Sequence, residues 1–264
     1  MTLVEATLLG VIEGLTEFFP ISSTGHLIIA EKILGVQEPS LFFNTIIQLG
    51  AICAVFVSFW SSIRTIITNA LRGNIRRMLL FALASLPVLV VGALFHSVIK
   101  TMQNSVLIVA VASIAVALFM LYVERKHRKT LLHNQKAPKN SAKDFFTIGL
   151  FQALSVIPGV SRSGITVVGG MIQNYTFADS VETAFILGIP AMGAASAYEL
   201  LLFLKHGEAS DPTLLVNTAV GFGVSFVVAW AAIAATLPIF KKYGLMPFVI
   251  YRILLGVILL MTLR

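Results

Sequence analysis

The sequence predicts an all-α polytopic membrane protein, an inverted-topology repeat with about six transmembrane helices and two re-entrant helical hairpins. Hydrophobic residues make up 57% of the 264 positions and charged residues only 12%, whereas about 25% of an ordinary soluble domain is charged. Six segments reach the roughly 20 mostly apolar residues that a spanning helix needs: about 41–60, 78–97, 104–123, 181–204, 214–237 and 246–263.

Two further apolar regions, residues 5–35 and 144–174, are interrupted near their middles by Pro, Gly, Ser and Thr. Each region therefore predicts two short helices joined by a turn. A broken segment enters the bilayer only where protein or a watery cavity satisfies its free backbone groups. We expect both regions to form re-entrant hairpins, each returning to the side from which it entered.

The two interrupted regions also match each other. Residues 10–26 (GVIEGLTEFFPISSTGH) align without a gap with residues 149–165 (GLFQALSVIPGVSRSGI). Each half of the chain would contain one hairpin and three spans, an odd number of crossings, so the halves are expected to be inverted. We predict a single membrane domain with repeat 1 at about 1–123, a basic cytoplasmic linker at about 124–143 and repeat 2 at about 144–264.

The distribution of basic residues predicts the orientation. The loops 61–77, 124–143 and 238–245 carry four, seven and two Lys or Arg residues, against four on the other side. The more basic side is expected to be cytoplasmic, which places both termini outside and opens the first hairpin to the outer face. Because the net charge of +7 resides in these short loops, we exclude a nucleic-acid partner.

Glu13 and Glu17 are four residues apart in the first hairpin, so they share one face of a helix. Two carboxylates in a membrane repel each other, and ionisable groups there are costly and usually functional. A divalent cation would relieve the repulsion, and oxygen ligands favour Mg²⁺ or Ca²⁺. Two alternatives remain open: one Glu stays protonated and bonds to the backbone, or the pair belongs to a proton relay.

The turn at 20–26 (PISSTGH) follows, and Pro20 is expected to end the first short helix. One interpretation is that Ser22 or Thr24 only caps the next helix, the commonest use of such residues. His26 lies three residues after Ser23, so on a helical turn its imidazole can reach the Ser23 hydroxyl. A hydroxyl beside a base is the minimal activated nucleophile.

The second turn, residues 158–166 (PGVSRSGIT), presents Arg162 among Ser161, Ser163 and Thr166 before a helix. Backbone N–H groups at a helix start, together with a planar guanidinium, suit a phosphate group. The alternative is that Arg162 pairs structurally with Glu13 or Glu17. The two turns together predict a phosphate site that includes Ser22 and Thr24.

Other polar residues give weaker signals. Single polar residues inside spans either line a cavity or serve as packing contacts between helices, and this choice stays open for Gln48, Glu182 and Glu199. Tyr251 and Arg252 could sit at an interface or reach inward. Four histidines at span ends or in loops are expected to be solvated: His96, His127, His133 and His206.

With these motifs in place, the chain resembles the undecaprenyl-diphosphate phosphatase family, the bacterial proteins associated with bacitracin resistance. The resemblance rests on EGLTE (13–17), SSTGH (22–26), IQLGA (47–51), PGVSRSGIT (158–166) and YRILLG (251–256). It implies hydrolysis of undecaprenyl diphosphate to undecaprenyl phosphate and inorganic phosphate, which recycles the lipid carrier for cell-wall synthesis. It also implies a bacterial cytoplasmic (inner) membrane protein whose active site opens to the periplasmic face.

The resemblance also implies residue roles: Glu13 and Glu17 as a metal- or proton-handling pair, Ser23 and His26 as catalytic residues, and Arg162 as the phosphate holder. We expect Ser23 to attack the terminal phosphorus with His26 assisting, although exchanged roles fit the spacing nearly as well. The expected partners are a polyprenyl diphosphate lipid and the bilayer, with a homodimer left open. The alternative function is a secondary transporter or lipid flippase for an anionic substrate.

Overall fold

A computed structural model describes residues 1–36, 41–102, 105–133, 140–206 and 212–262, and every regular element in these ranges is helical. Besides a 3₁₀ turn at Leu154–Val156, the described α-helices are α1 Leu3–Phe18, α2 Ser23–Leu34, α3 Leu41–Ser58, α4 Trp60–Leu71, α5 Arg76–Leu94, α6 His96–Met102, α7 Val106–His133, α8 Ala142–Ala153, α9 Arg162–Ile172, α10 Phe177–His206, α11 Pro212–Tyr243 and α12 Met246–Thr262.

The predicted spans coincide with the long apolar helices. Helices α3, α5, α7, α10 and α11 are long and apolar enough to cross a membrane, and α12 is apolar but only 17 residues long. The all-helical, membrane-spanning class is therefore confirmed. The length of α12 is slightly below the roughly 20 residues that a perpendicular crossing takes.

The two interrupted regions each contain two short helices, as predicted. We call α1 with α2 the first helix pair, joined by residues 19–22, and α8 with α9 the second helix pair, joined by residues 154–161. Ser22 and Ser161, which the sequence alignment superposes, are the N-caps of α2 and α9 and have positive φ values of 74° and 73°. The aligned sequences thus adopt the same uncommon backbone conformation at the same point.

The predictions for the basic loops need correction. The expected loop 61–77 contains α4, which buries Ile63 and Ile66 against α5. Helix α7 extends to His133, so the first ten residues of the expected linker 124–143 are helical, and residues 134–139 lie outside the described ranges. An apolar stripe within a basic segment explains α4, because an amphipathic helix can carry its charges on the outer face.

Buried contacts explain why α7 continues beyond the apolar segment. Glu124 accepts hydrogen bonds from Arg128 at 2.7 Å and from the Leu245 backbone N–H at 3.2 Å. His127 is buried, and its ring packs edge-on against Phe177. The prediction that His127 would be solvated is therefore wrong, and the side chains of His133 and His206 lie outside the described part of the chain.

The helix pairs pack against long helices from the other half of the chain. Helix α1 lies along α11, and α8 lies along α5. These approaches are close: a Cβ added at Gly10 would lie 2.6 Å from the Gly221 carbonyl oxygen, and one at Gly149 would lie 2.2 Å from the Ala84 carbonyl oxygen. Gly10 and Gly149 are aligned residues, so the same sequence position allows close backbone contact in both halves.

The remaining long helices complete the bundle around these pairs. Helix α3 packs against both α10 and α11, while α12 lies along α7. The largest buried apolar cluster lies next to the first turn, where Phe18 packs edge-on against Phe185 of α10 with ring centroids 4.9 Å apart. Helix α10 also packs against α9, so it contacts both helix pairs.

Candidate active site

The turns of both helix pairs open onto one cavity of about 560 Å³. The first pair contributes Glu17, Ser22, Ser23 and Thr24 to its wall, and the second contributes Ser161 and Arg162 together with residues 155–158. Helices α3, α5, α6 and α10 form the other walls. Ser23 and Arg162, from opposite halves of the sequence, therefore face a shared space.

The buried Glu17 carboxylate joins the two halves of this site. Its Oε1 accepts a hydrogen bond from Arg162 Nη2 at 2.7 Å, and its Oε2 accepts a short hydrogen bond from Ser23 Oγ. Only 4% of the Glu17 side chain and 11% of the Arg162 side chain are exposed. The ion pair that the sequence left as an alternative for Arg162 is present, and it lies on the cavity wall.

The Arg162 guanidinium lies over α10. Its Nη1 donates to the Ala184 carbonyl oxygen at 3.1 Å, and its Nη2 also approaches Met192 Sδ at 2.8 Å. Gly188 makes this position available, because a Cβ there would lie only 2.1 Å from Arg162 Nη1. Arg162 Nε has no acceptor among the described residues.

Glu13 lies one turn before Glu17 and is 1% exposed. Its charged neighbours are Glu17 and Arg162, and neither of its oxygens accepts a hydrogen bond from a described donor. The described ranges hold no group of three or more His, Cys, Asp or Glu residues suited to a metal ion. Mg²⁺, however, is commonly held by one or two carboxylates plus substrate phosphates, and the free oxygens of Glu13 beside Glu17 fit that donor set.

The structure does not place His26 against Ser23. His26 Nδ1 lies 2.7 Å from the Ser22 carbonyl oxygen and Nε2 lies 2.6 Å from the Tyr251 hydroxyl, with the two rings stacked. His26 is not part of the cavity wall. The expected serine–histidine contact is therefore wrong, because Ser22 and Tyr251 engage both ring nitrogens of His26 while the Ser23 hydroxyl donates to Glu17.

The small hydroxyl residues divide into two groups. Ser22 and Ser161 line the cavity, and their Oγ atoms cap the following helices by accepting from the backbone N–H groups of Gly25 and Gly164. Thr24 also lines the cavity. Ser163 and Thr166 are buried away from it: Ser163 donates to the Phe19 carbonyl oxygen and Thr166 to the Arg162 carbonyl oxygen.

The far end of the cavity holds a second polar group. The sequence predicted only part of this group. Gln48 and Glu199 line the wall, in agreement with one of their two interpretations, whereas Glu182 does not. His96 lines it as well, with Nε2 3.9 Å from Glu199 Oε1. The rest of the wall is mostly apolar, with residues such as Val88, Leu89, Ala191 and Ala195. The cavity is therefore suited to a ligand with a charged head and an apolar chain.

Arg252 is a further residue whose place the sequence left open. It is fully buried and donates hydrogen bonds to backbone carbonyls in both turns, those of Pro20 and Gly159. The sequence signal was only a single charged residue within an apolar segment. Its neighbour Tyr251 binds His26.

Comparison with known proteins gives consistent matches across the chain. Residues 6–258 match a family model described as bacitracin resistance protein BacA. The undecaprenyl-diphosphatase of Bdellovibrio bacteriovorus is 36% identical over 265 residues, covering 100% of this chain and 97% of that protein. That of Sorangium cellulosum is 42% identical, covering 97% and 85%, and that of Chloroherpeton thalassium is 37% identical, covering 98% and 96%.

Proposed function

Since the chain belongs to the bacitracin resistance protein BacA family, we propose that it is an undecaprenyl-diphosphate phosphatase, which hydrolyses undecaprenyl diphosphate to undecaprenyl phosphate and inorganic phosphate. This activity would recycle the lipid carrier for cell-wall synthesis. The observation that carries the chemistry is the Glu17 carboxylate, which accepts hydrogen bonds from both Ser23 and Arg162 on the cavity wall. A nucleophile, a base and an anion-binding cation are thereby brought together.

Phosphate binding is assigned to Arg162 and to the starts of α2 and α9. Ser23 and Arg162 are the first residues of these helices, where free backbone N–H groups favour an anion. A planar guanidinium can hold two phosphate oxygens at once. The bound phosphate would compete with Glu17 for Arg162, which would leave the carboxylate free to accept a proton.

In the reaction, Ser23 Oγ attacks the terminal phosphorus and its proton passes to Glu17. The bond between this phosphorus and the bridging oxygen breaks, and undecaprenyl phosphate leaves. Water then attacks the serine phosphate, Glu17 returns its proton to Ser23 Oγ, and inorganic phosphate is released. Positioning and charge neutralisation dominate such phosphoryl transfers.

The geometry supports Ser23 rather than His26 as the nucleophile. Both ring nitrogens of His26 are engaged, one by the Ser22 carbonyl oxygen and one by the Tyr251 hydroxyl, and His26 does not line the cavity. Ser23 does line it, and its hydroxyl donates to a carboxylate that can act as a base. We assign His26 the role of holding the start of α2 against α12 through Tyr251. This replaces the direct assistance to Ser23 that the sequence predicted.

A divalent cation, Mg²⁺ or Ca²⁺, is part of the proposal. Glu13 would hold it with its two free oxygens, and Glu17 would complete the protein ligands. Such an ion supplies positive charge to the phosphate oxygens. The ion would allow Glu13 and Glu17 to be ionised side by side until Glu17 accepts the Ser23 proton.

The repeat and the orientation are also proposed. Helix α1 packs against α11, and its counterpart α8 packs against α5, the counterpart of α11. Each helix pair thus contacts the corresponding long helix of the other half, which supports an inverted repeat with both helix pairs re-entrant. The cavity reaches toward the ends of α3, α5 and α10 that the basic residues predict to be outside, where Leu41, Ala93 and Tyr198 line it. This supports an opening to the periplasmic face of the bacterial inner membrane, with both termini outside.

The prenyl chain is assigned to the apolar wall between α5 and α10, from which it would pass into the bilayer. That wall includes Val88, Leu89, Ala191 and Ala195. A diphosphate lipid therefore matches the cavity in both its charged and its apolar parts. A second copy of the chain as partner stays a prediction.

Phosphate release tests the proposal directly. Purified protein in detergent is incubated with farnesyl or undecaprenyl diphosphate, and free phosphate is measured by a colorimetric assay. We expect phosphate from both substrates and none after Ser23→Ala. The rival function, a transporter or lipid flippase, predicts that the purified wild-type protein releases no phosphate from either substrate.

A further inference from the structure

Arg252 on α12 is fully buried, and its guanidinium donates to three backbone carbonyl oxygens. Nη1 donates to Pro20 at 3.0 Å, Nη2 donates to Gly159 at 2.6 Å, and Nε donates to Ser113 on α7 at 3.3 Å. One side chain therefore binds both turns that form the cavity and also a long helix.

Pro20 and Gly159 occupy matching positions in the two turns. They are superposed in the alignment of the repeated sequences, and each lies three residues before the first residue of the next helix. Those first residues are Ser23 and Arg162, the proposed nucleophile and the proposed phosphate holder. Arg252 thus bonds to the backbone of each turn three residues before a residue of the proposed site.

The direct contacts between the turns are less restrictive. Ser163 Oγ donates to the Phe19 carbonyl oxygen at 3.3 Å, a long hydrogen bond. Gly164 packs closely on Pro20, since an added Cβ would lie 2.9 Å from Pro20 Cβ. Neither contact holds both turns in a fixed orientation, and the Glu17–Arg162 ion pair is the contact for which a bound phosphate would compete. The planar Arg252 guanidinium, in contrast, binds a carbonyl of each turn in a defined geometry.

The burial of Arg252 is costly, which argues that the residue has a specific role. No carboxylate forms an ion pair with it among the described residues. A buried charge without a counter-ion is tolerated only where hydrogen bonds satisfy it. The three carbonyls do so, and two of them belong to the site.

We propose that Arg252 is a positioning residue that keeps Ser23 in line with the phosphate held by Arg162, by fixing the two turns to each other. The inference rests on the proposed phosphatase activity. Misplacing a reacting group by about 1 Å can lower a rate by about 10²-fold. Loss of Arg252 should therefore slow the chemical step more than it weakens substrate binding.

The first experiment compares kcat and KM for phosphate release in wild type, Arg252→Lys and Arg252→Met. We expect kcat to fall by about 10²-fold in Arg252→Met and by less in Arg252→Lys, whose ammonium can still reach one carbonyl, with KM nearly unchanged. The matched control is Arg76→Met, which removes a guanidinium that donates to the Asn140 carbonyl oxygen far from the cavity. It should keep wild-type kcat.

The second experiment measures the geometry itself. Spin labels at Thr24→Cys, at the start of α2, and at Ser155→Cys, on the second turn, are introduced after Cys53→Ala removes the single native cysteine. We expect the inter-label distance distribution to broaden in Arg252→Lys while the thermal midpoint of this variant stays close to wild type. Because Arg252→Lys conserves the charge and much of the volume, it keeps the test valid if Arg252→Met does not fold.

Two results would overturn the inference. One is an unchanged kcat in Arg252→Met, and the other is a lower kcat with an unchanged distance distribution in Arg252→Lys. If wild-type protein released no phosphate, the proposed function would fail. The distance measurement would still decide whether Arg252 fixes the two turns.

Discussion

Arg162 and Glu17 are 145 residues apart in the chain, and Arg162 Nη2 donates to Glu17 Oε1 across 2.7 Å. The pair joins the second helix pair to the first at the wall of the cavity. Because Glu17 also accepts from Ser23 Oγ, an anion that draws Arg162 away changes the environment of the nucleophile. Under the proposed mechanism, substrate binding and nucleophile activation would therefore be coupled.

The shape of the Arg162 guanidinium should matter as well as its charge. Arg162→Lys keeps a positive charge but loses the planar arrangement of donors that can bind two phosphate oxygens. We expect phosphate release to fall by about 10²-fold in Arg162→Lys and to be lost in Arg162→Ala. Steady-state kinetics on detergent-purified protein checks this. Wild-type kcat/KM in Arg162→Lys would contradict the assigned phosphate contact.

Gly188 should be needed to seat Arg162. The Cβ of Gly188→Ala would lie 2.1 Å from Arg162 Nη1, so the guanidinium must leave its position over α10. We expect activity to fall by about 10²-fold while the helical content is kept, as measured by circular dichroism.

Gly193→Ala is the matched control for Gly188→Ala. It lies on the same helix, and a Cβ there would meet no atom within 4 Å. The control should retain activity. Equal activity in the two variants would show that Arg162 does not need the space that Gly188 provides.

Glu17 should act as the base for Ser23. Glu17→Gln conserves size but cannot accept the Ser23 proton, so we expect phosphate release to fall by about 10²-fold to 10⁴-fold. The control is Glu5→Gln on the same helix, where a Gln can still complete the capping box with Thr2. Full activity of Glu17→Gln would exclude this role.

The covalent intermediate should form on Ser23. Rapid quenching with substrate labelled in the terminal phosphate, followed by peptide mapping, should place the label on Ser23 and on no histidine. Label on His26 would instead establish the exchanged roles. That outcome would require His26 to leave its partners Ser22 and Tyr251.

Glu13 should set the metal requirement. Chelation by EDTA should abolish phosphate release, and Mg²⁺ or Ca²⁺ should restore it. In Glu13→Gln we expect the metal concentration for half-maximal activity to rise by about 10-fold or more, because one of two carboxylates is lost. Glu31→Gln is the control, since Glu31 is also buried but bonds to Asn44. Wild-type protein that is fully active in EDTA would remove the metal from the proposal.

Much of the architecture followed from local sequence properties. Runs of apolar residues set the long helices, and Pro, Gly and Ser set the breaks in the two helix pairs. The N-cap role of Ser22 depends on a backbone N–H only three residues away, so the sequence could predict it. The basic residues of segment 61–77 predict a loop, so this pattern does not reveal the amphipathic helix α4.

By itself the sequence determined a helical membrane protein with two matching polar turns and the residue types of a phosphate site. Only the tertiary structure decided the partners: Ser23 bonds to Glu17 and not to His26, and Arg252 reaches Pro20 across 232 residues. The physical reason is the distance along the chain over which each interaction acts. Helix formation and capping depend on neighbours within about four residues, whereas the partner of a buried polar atom depends on how distant helices pack and which acceptor they bring nearest.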